Sequence, residues 1–255
     1  MDFIESRNKL ANENWASKEI KAAASEWHNL CRQINYQYMF EMCGLPIIQD
    51  PQDICMLQEV IWQIKPTLII ETGVARGGSL MLSAMSLGAL SYIDSLSEAN
   101  ACKRRVVGID IDIRTHNRIK IEEHPLFPLI NLLEGSSISD SIIEKVKRII
   151  QETDKVLVIL DSNHTEEHVL AELEIYSQFV TNESAIIVMD TGIEFAPPES
   201  FNTNRPWSTG SNPYTATKKF LELPRGQNFE IDRTIEFRHL ISSAPEGLLR
   251  RKRDN

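Results

Sequence analysis

Five short apolar segments separated by helical patterns constrain the fold of this 255-residue chain more than any other feature. Each segment has the length and composition of a buried strand, and the intervals carry apolar residues at helical spacing. Strands that alternate with helices in this way indicate right-handed βαβ units and a parallel sheet. The predicted strands are residues 68–70, 105–110, 129–133, 156–160 and 185–189.

The C-terminal part departs from this alternation. Residues 229–236 and 238–243 have the composition of two adjacent strands with no room for a helix between them, so they predict an antiparallel hairpin. The expected fold class is α/β: a doubly wound, mostly parallel, seven-stranded sheet closed by that hairpin. This is the class I methyltransferase (Rossmann-like) arrangement, and we expect it to span residues 51–255.

Residues 1–50 are predicted to be a helical extension, with helix-ending chemistry at Gly44, Leu45 and Pro46. The segment is too polar for the core and too aromatic for a free tail, so we expect it to mediate a homo-oligomer. At the other end of the chain, the basic cluster at residues 250–253 is typical of a solvated tail.

Charge and hydropathy exclude several classes of partner. The formal net charge of −9 argues against nucleic acid, because such a surface repels a phosphate backbone. No segment approaches the ~18 apolar residues of a membrane span. The N-terminus also lacks the apolar region of a signal peptide, so we expect a cytoplasmic protein with no membrane span.

A glycine-rich turn follows the first predicted strand, at residues 71–79. Glycines at a strand-to-helix turn let the backbone approach a ligand and leave helix N-terminal amides free to bind it. The spacing is GxxxGG, which is not the GxGxxG of dinucleotide sites. An acidic residue two positions before the first glycine is typical of S-adenosylmethionine (SAM) sites. The candidate cofactor residues of this turn are Glu71, Gly73, Arg76, Gly77 and Ser79.

Two further segments extend this predicted cofactor site. Asp110 ends the second strand, beside the crevice of an open α/β sheet, where a carboxylate can accept the ribose hydroxyls. Asp112 is an alternative on the same face. After the third strand, Gly135 and Ser136 could border the adenine, although a serine-rich helix cap explains them equally well.

Aspartates at the ends of the next two strands predict a metal site. Asp161 and Asp190 would project into one crevice if their strands are neighbours, and Thr191 could add an oxygen. Oxygen ligands suit Mg²⁺, whereas no Cys or His set has the spacing of a zinc site. The alternative is a pair of independent aspartates at strand ends.

A histidine near this metal site could act as a general base. His164 follows Asp161 by three residues, and His168 lies one helical turn further on. Either imidazole could accept the proton of a hydroxyl that attacks a methyl group. When each histidine is taken alone, a capping or packing role explains it better than catalysis does.

Together these segments resemble the cephalosporin hydroxylase family, which despite its name looks like a family of SAM-dependent methyltransferases. The resemblance covers about residues 44–251, through GLPIIQDPQD, IIETGVARGGS, VVGIDIDIRTHN, LLEGSS, LDSNHTEEHVLAELEIYSQFV and the closing FEIDRTIEFRHLISSAPEGLLRR. It implies a SAM site at Glu71, Gly73 and Asp110 and a Mg²⁺ site that begins with Asp161.

The DSNH segment also looks like the DxxK segment of catechol O-methyltransferase, which would put His164 at the position of the base lysine. One departure weakens the implied metal set. Better-studied family members have Glu-Asp at the end of the fifth strand, whereas this chain has Met189 followed by Asp190.

The predicted reaction is methyl transfer from SAM to a hydroxyl of a small molecule or sugar, with Asp161 and His164 as catalytic residues and Mg²⁺ as cofactor. The irregular segment 192–213, with Phe195, Trp207 and Tyr214, would close over the acceptor or serve only as a connector. A dinucleotide-dependent oxidoreductase, a non-catalytic SAM-binding partner of an oxidase or hydroxylase, and a structural oligomer protein are the alternatives.

Overall fold

The computed structural model describes residues 2–97, 103–197, 200 and 204–253. The helices are α1 (Phe3–Ala16), α2 (Lys18–Gln33), α3 (Pro51–Ile64), α4 (Gly78–Ser97), α5 (Thr115–Glu122), α6 (Asp140–Ile149), α7 (Glu166–Tyr176), α8 (Pro213–Glu222) and α9 (Glu236–His239). The strands are β1 (Phe40–Met42), β2 (Leu45–Ile47), β3 (Leu68–Thr72), β4 (Arg105–Asp110), β5 (Ile130–Glu134), β6 (Val156–Leu160), β7 (Ala185–Val188), β8 (Phe229–Ile231) and β9 (Leu248–Arg251).

Over the described residues, the main sheet has seven strands in the order β5-β4-β3-β6-β7-β9-β8. The first five are parallel, and β9 runs antiparallel to both β7 and β8. The predicted fold class is confirmed. The chain order reverses between β3 and β6, and in open α/β sheets the crevice at such a switch point is where ligands bind.

Both faces of the sheet are covered, which is why its central strands are continuously apolar. Strands β3, β6 and β7 are buried at every position. One hydrophobic cluster joins the sheet to α3 and α4, and a second joins the opposite face to α6, α7 and α8. The crevice at the carboxyl ends of β3 and β6 is therefore built on a rigid, close-packed base.

The predicted C-terminal hairpin is wrong in its bounds. Strand β8 ends at Ile231, β9 begins only at Leu248, and residues 238–243 form no strand. The intervening chain leaves the sheet because its residues bond to α3 instead. Asp53 of α3 accepts hydrogen bonds from Ser242 Oγ (2.5 Å) and from the Ser243 N–H (2.8 Å). The antiparallel pair still closes the sheet.

The basic cluster at 250–253 is a solvated tail only at its end, where Lys252 and Arg253 are exposed. Arg250 and Arg251 belong to β9, between β7 and β8. The Arg250 Nε–H donates to Asp232 Oδ2 (2.8 Å), and the Arg251 Nη1–H donates to the Val180 carbonyl (2.6 Å). These two arginine side chains therefore stabilise the antiparallel end of the sheet, because each has a hydrogen-bond partner in the fold.

The extension is helical only as far as α2. Residues 44–46 do not end a helix, because they lie in a hairpin formed by β1 and β2. Cys43 (φ 50°) and Gly44 (φ 84°) both have positive φ, which is typical of the two-residue turns that match strand twist. Leu45 and Ile47 join the cluster under α3 and α4, so core packing crosses the predicted boundary at residue 50, which stays a prediction.

The extension packs on its own chain and also leaves apolar side chains exposed. Trp15 of α1 contacts Phe237, with 5.3 Å between ring centroids. Phe3 is 77% exposed and Leu10 is 57% exposed, so α1 has an uncovered apolar surface. The homo-oligomer therefore stays a prediction.

Helix α4 is long and apolar enough, over Gly78–Leu96, to cross a membrane by length and composition alone. Leu80, Met81 and Leu87 of this helix are fully buried in the cluster under the sheet. A buried core helix meets the same criterion, so the finding is weak support for a span.

A carboxyl group lies inside this core. Glu71 of β3 is 1% exposed and accepts hydrogen bonds from the hydroxyls of Ser79 and Ser83, both on α4. Burial raises the pKa of Glu71 to about 7, and the two hydroxyl bonds lower it only in part. The charged form is therefore costly in the folded state.

We predict that Glu71 makes stability fall as pH rises. The pKa of Glu71 is about 7 when folded, against a usual value of 4.5, so the folded chain binds more protons between these pH values. Relative to the wild type, Glu71→Gln should become more stable by up to about 3 kcal/mol as pH rises through this window. Urea denaturation at a series of pH values measures this. Glu41→Gln, at an exposed position, is the control, and a pH-independent difference for Glu71→Gln would contradict the prediction.

Candidate functional site

Two cavities open side by side at the carboxyl ends of β3 and β6. The first encloses about 350 Å³ and lies against β4, and the second encloses about 460 Å³ and lies against the N-terminal extension. They share a boundary formed by Ala75, Asp161, Ser162, His164, Arg205 and Trp207. A molecule in one cavity would therefore meet a molecule in the other at Asp161 and His164.

The glycine turn and Asp110 form the wall of the first cavity. Gly73 has φ 93°, and a Cβ atom there would lie 2.0 Å from the Asp161 carbonyl oxygen, so only glycine fits. Asp110 Oδ2 accepts the N–H groups of Val74 (2.8 Å) and Ala75 (3.1 Å). Asp110 thus holds the turn in place, whereas Asp112 is exposed and lies outside the lining of both cavities.

The structure brings only some of the predicted cofactor residues to the cavity. Gly73, Asp110 and Ser136 line it, and Gly135 adjoins it, donating its N–H to the Asp110 carbonyl (2.8 Å). The remaining four lie outside the lining. Glu71 and Ser79 bond to each other below the turn, Arg76 is exposed, and Gly77 is a packing glycine whose added Cβ would meet Ile121 at 2.6 Å.

The polar centre of the site consists of Asp161, His164 and Asp190. Each offers one ligand atom, and the three atoms lie within 4.8 Å of one another. His164 Nε2 is 3.4 Å from Asp190 Oδ2. Asp161 follows β6 directly, and Asp190 has the left-handed φ of 57° where β7 passes into a 3-10 helix. The parallel pairing of β6 with β7 is what brings the two aspartates together.

The electrostatics of this centre suit a cation. Burial raises the pKa of Asp161 well above its usual value, and the charges of Asp190 and Glu71 raise it further. Gln49 Nε2–H donates to Asp161 Oδ2 (2.8 Å), which offsets only part of this cost. A divalent ion between the carboxylates would remove the repulsion, and two carboxylates with water are an ordinary donor set for Mg²⁺.

The two residues next to Asp190 in the chain, Met189 and Thr191, have their side chains directed away from the polar centre. The Thr191 hydroxyl donates to the Pro245 carbonyl (2.6 Å) and is fully buried, so it is directed toward the C-terminal segment. Met189 is 1% exposed and packs in the cluster under α3 and α4. His164, which Asp190 approaches, is thus the third potential ligand among the described residues.

His168 lies on the wall of the first cavity. Its Nε2 is 3.0 Å from Ser137 Oγ and 3.4 Å from Glu172 Oε1, and Glu172 is fully buried. His164, in contrast, lies on the boundary between the cavities. The geometry therefore separates the two histidines that the sequence left as alternatives.

Part of the irregular segment 192–213 covers the junction. Trp207 lies edge-on to His164, with 5.8 Å between ring centroids, and the Arg205 guanidinium lies over Trp207. Glu194 anchors the segment by accepting the N–H of Gly210 (2.8 Å). Phe195 and Tyr214 contact each other and line neither cavity. Residues 198, 199 and 201–203 lie outside the described part.

The second cavity contains residues that sequence reasoning missed. His28 and Arg32 come from α2, and Gln49 and Asp50 from the segment before α3. Nothing in the helical pattern of α2 marks His28 and Arg32 as part of a site, because they reach it only through tertiary packing. The pairing of His28 Nε2 with Asp50 Oδ2 (2.7 Å) is what places α2 over the cavity.

Solved structures of similar shape support the fold. An apo structure of CmcI matches with a TM-score of 0.54 and 18% identity, covering 85% of this chain and 78% of that one. A CmcI structure with Mg and SAM matches with a TM-score of 0.51 and 18% identity, covering 84% and 77%.

Sequence comparison is more specific. The chain is 26% identical over 209 residues to the rhamnosyl O-methyltransferase of Mycobacterium tuberculosis, which covers 81% of this chain and 76% of that protein. Its identity to the rhamnosyl O-methyltransferase of Mycobacterium leprae is 25%, with 82% of each covered. The sequence model of one family, Rhamnosyl O-methyltransferase/CmcI, matches residues 34–252. With most of its length matched, this chain belongs to the Rhamnosyl O-methyltransferase/CmcI family.

Proposed function

We propose that this protein is a SAM-dependent O-methyltransferase that uses a divalent ion, Mg²⁺, and acts on a hydroxyl group of a sugar or another small molecule. The observation that carries the proposal is the meeting of two cavities at Asp161 and His164. The first cavity has the features of a cofactor site, and the second has room for an acceptor. The rhamnosyl O-methyltransferase relatives favour a sugar hydroxyl.

The chain supplies binding, orientation and a proton acceptor. When bound, SAM supplies an electrophilic methyl group, and a divalent ion supplies charge that lowers the pKa of a nearby hydroxyl. Asp161 and Asp190 would hold the ion, and the Gly73 turn with Asp110 would hold the cofactor. His164 Nε2 would accept the hydroxyl proton, and Trp207 would exclude water. Much of the rate would come from alignment of the reacting groups.

A non-catalytic, SAM-binding partner subunit is the second candidate, and Met189 is the observation that favours it. One carboxylate of better-studied family members is missing at that position, and the side chain is buried in the core. Tight SAM binding without methyl transfer to any hydroxyl acceptor would favour this alternative.

We predict that Asp110→Asn weakens binding of SAM and of S-adenosylhomocysteine (SAH) by about 10-fold or more, on the scale of a lost charge-assisted hydrogen bond. Asp110 lines the first cavity and also holds the turn beside it. Isothermal titration measures the affinities, with NAD as a ligand that should not bind. Asp112→Asn is the control, because that carboxylate is exposed. Equal affinities for SAH in the two variants would count against this site. Gly73 is unsuitable for the test, because any side chain there collides with the backbone of Asp161.

We predict that methyl transfer stops after exhaustive EDTA treatment and returns with Mg²⁺ or Mn²⁺. Asp161→Asn should also lower the affinity for Mn²⁺ by at least about 10-fold, because one of two charged ligands is lost. Isothermal titration with Mn²⁺ reads binding independently of activity, and Asp112→Asn is again the control. Full activity in EDTA would refute the metal role.

We predict that His164→Ala lowers kcat by roughly 10²–10⁴-fold, the usual range for a general base. Affinity for SAH should change little, because His164 lies at the boundary and not on the glycine turn. His168→Ala is the control and should have the smaller effect. If His164→Ala instead lowers Mn²⁺ affinity as much as Asp161→Asn does, the imidazole is a ligand and not the base.

A further inference from the structure

The second cavity has a wall that belongs to the N-terminal extension. His28 and Arg32 of α2 line it, together with Asn35, Gln37 and Tyr38, which follow the helix. The family match begins only at residue 34, so His28 and Arg32 lie outside the region that the family match covers.

A buried pair fixes the position of α2. His28 Nε2 lies 2.7 Å from Asp50 Oδ2, and each side chain is 9% exposed. Arg32 follows His28 by four residues, so it lies on the same face of the helix, one turn nearer its C-terminus. The contact between His28 and Asp50 thus places Arg32 on the lining of the second cavity.

The guanidinium of Arg32 is set into the wall. Its Nη1–H donates to Asn29 Oδ1 (3.0 Å). Its Nη2 lies close to Gly192, where an added Cβ would be 3.2 Å away, so the absence of a side chain makes room for the group. Burial lowers the pKa of Arg32, and the charges of Asp50, Asp190 and Asp53 oppose that shift. Arginine stays protonated in proteins, so a positive charge remains here.

This charge is not used in an ion pair. Among the described residues, no carboxylate oxygen forms a salt bridge with the Arg32 guanidinium. Asp50 is paired with His28. Once a divalent ion balances Asp161 and Asp190, the charges that remain on the lining of the second cavity are those of Arg32, Arg205 and Asp50, so the lining has a net positive charge. Such a cavity attracts an anion.

We propose that the acceptor carries an anionic group, a carboxylate or a phosphate, and that Arg32 binds it. This inference rests on the proposed function, because it places the acceptor in the second cavity. A planar guanidinium can donate two parallel hydrogen bonds to either anion, which gives orientation as well as affinity. Arg32 would then fix which hydroxyl of a polyhydroxylated acceptor faces Asp161 and His164.

Binding of simple sugars to the protein loaded with SAH and Mg²⁺ tests the proposal. The probes are glucuronate, glucose 6-phosphate and the neutral methyl glucoside, each measured by isothermal titration. We expect the better of the two anionic probes to bind about 10- to 100-fold more tightly than the neutral one, the range of charge-assisted hydrogen bonds. Comparison of the two anions distinguishes a carboxylate from a phosphate.

Two arginine variants make the result specific. Arg32→Gln should remove the preference for the anionic probe, and Arg7→Gln, on α1 outside the second cavity, should preserve it. Unchanged SAH affinity in Arg32→Gln shows that the site is folded. Equal affinities for all three probes, no detectable binding of either anion, or a preference that survives in Arg32→Gln would overturn the proposal. Failure of the wild type to bind SAH, with anions still bound through Arg32, would refute only the proposed function.

Discussion

The close parallel pairing of β3 with β6 is the contact on which the rest of the site depends. Gly73 follows β3 and Asp161 follows β6, and the two backbones approach so closely that a Cβ atom at Gly73 would lie 2.0 Å from the Asp161 carbonyl. The glycine turn and the polar centre are therefore one rigid unit. The chain order reverses at this pair, and the crevice there contains the two cavities, which share Asp161 in their linings.

The same compactness concentrates negative charge. Burial raises the pKa of Asp161, and the charges of Asp190, Glu71 and Asp53 raise it further. Burial also raises the pKa of Glu71 to about 7 and that of Asp53 to about 6. Hydrophobic packing from both faces of the sheet has to offset the cost of holding these groups. A site of this kind is poised for a cation, because binding relieves repulsion that already exists in the fold.

The two ends of the chain differ from the pattern of its middle. The N-terminal extension forms part of the crevice wall, since α2 lies against the second cavity and is held there by the contact between His28 and Asp50. The C-terminal segment between β8 and β9 bonds to Asp53 of α3 before it returns to the sheet. Both ends therefore contribute to the second cavity and its surroundings, whereas the central βαβ units build the first cavity.

Local sequence determined the parallel strands, the glycine turn, and the positions of Asp110, Asp161 and Asp190, because strand periodicity and strand-end polarity are short-range properties. Tertiary structure alone decided which predicted site residues face a cavity. Glu71 and Ser79 are hydrogen-bonded to each other below the glycine turn, and the Thr191 hydroxyl donates to the Pro245 carbonyl. Tertiary structure also decided that residues 238–243 leave the sheet and that Arg250 and Arg251 enter it, because partners far along the chain compete with local strand preference. Arg32 carried no local signal, and Gln49 lay in a stretch that resembles the family but had no assigned role, since only packing of the extension onto the sheet brings them to Asp190 and Asp161.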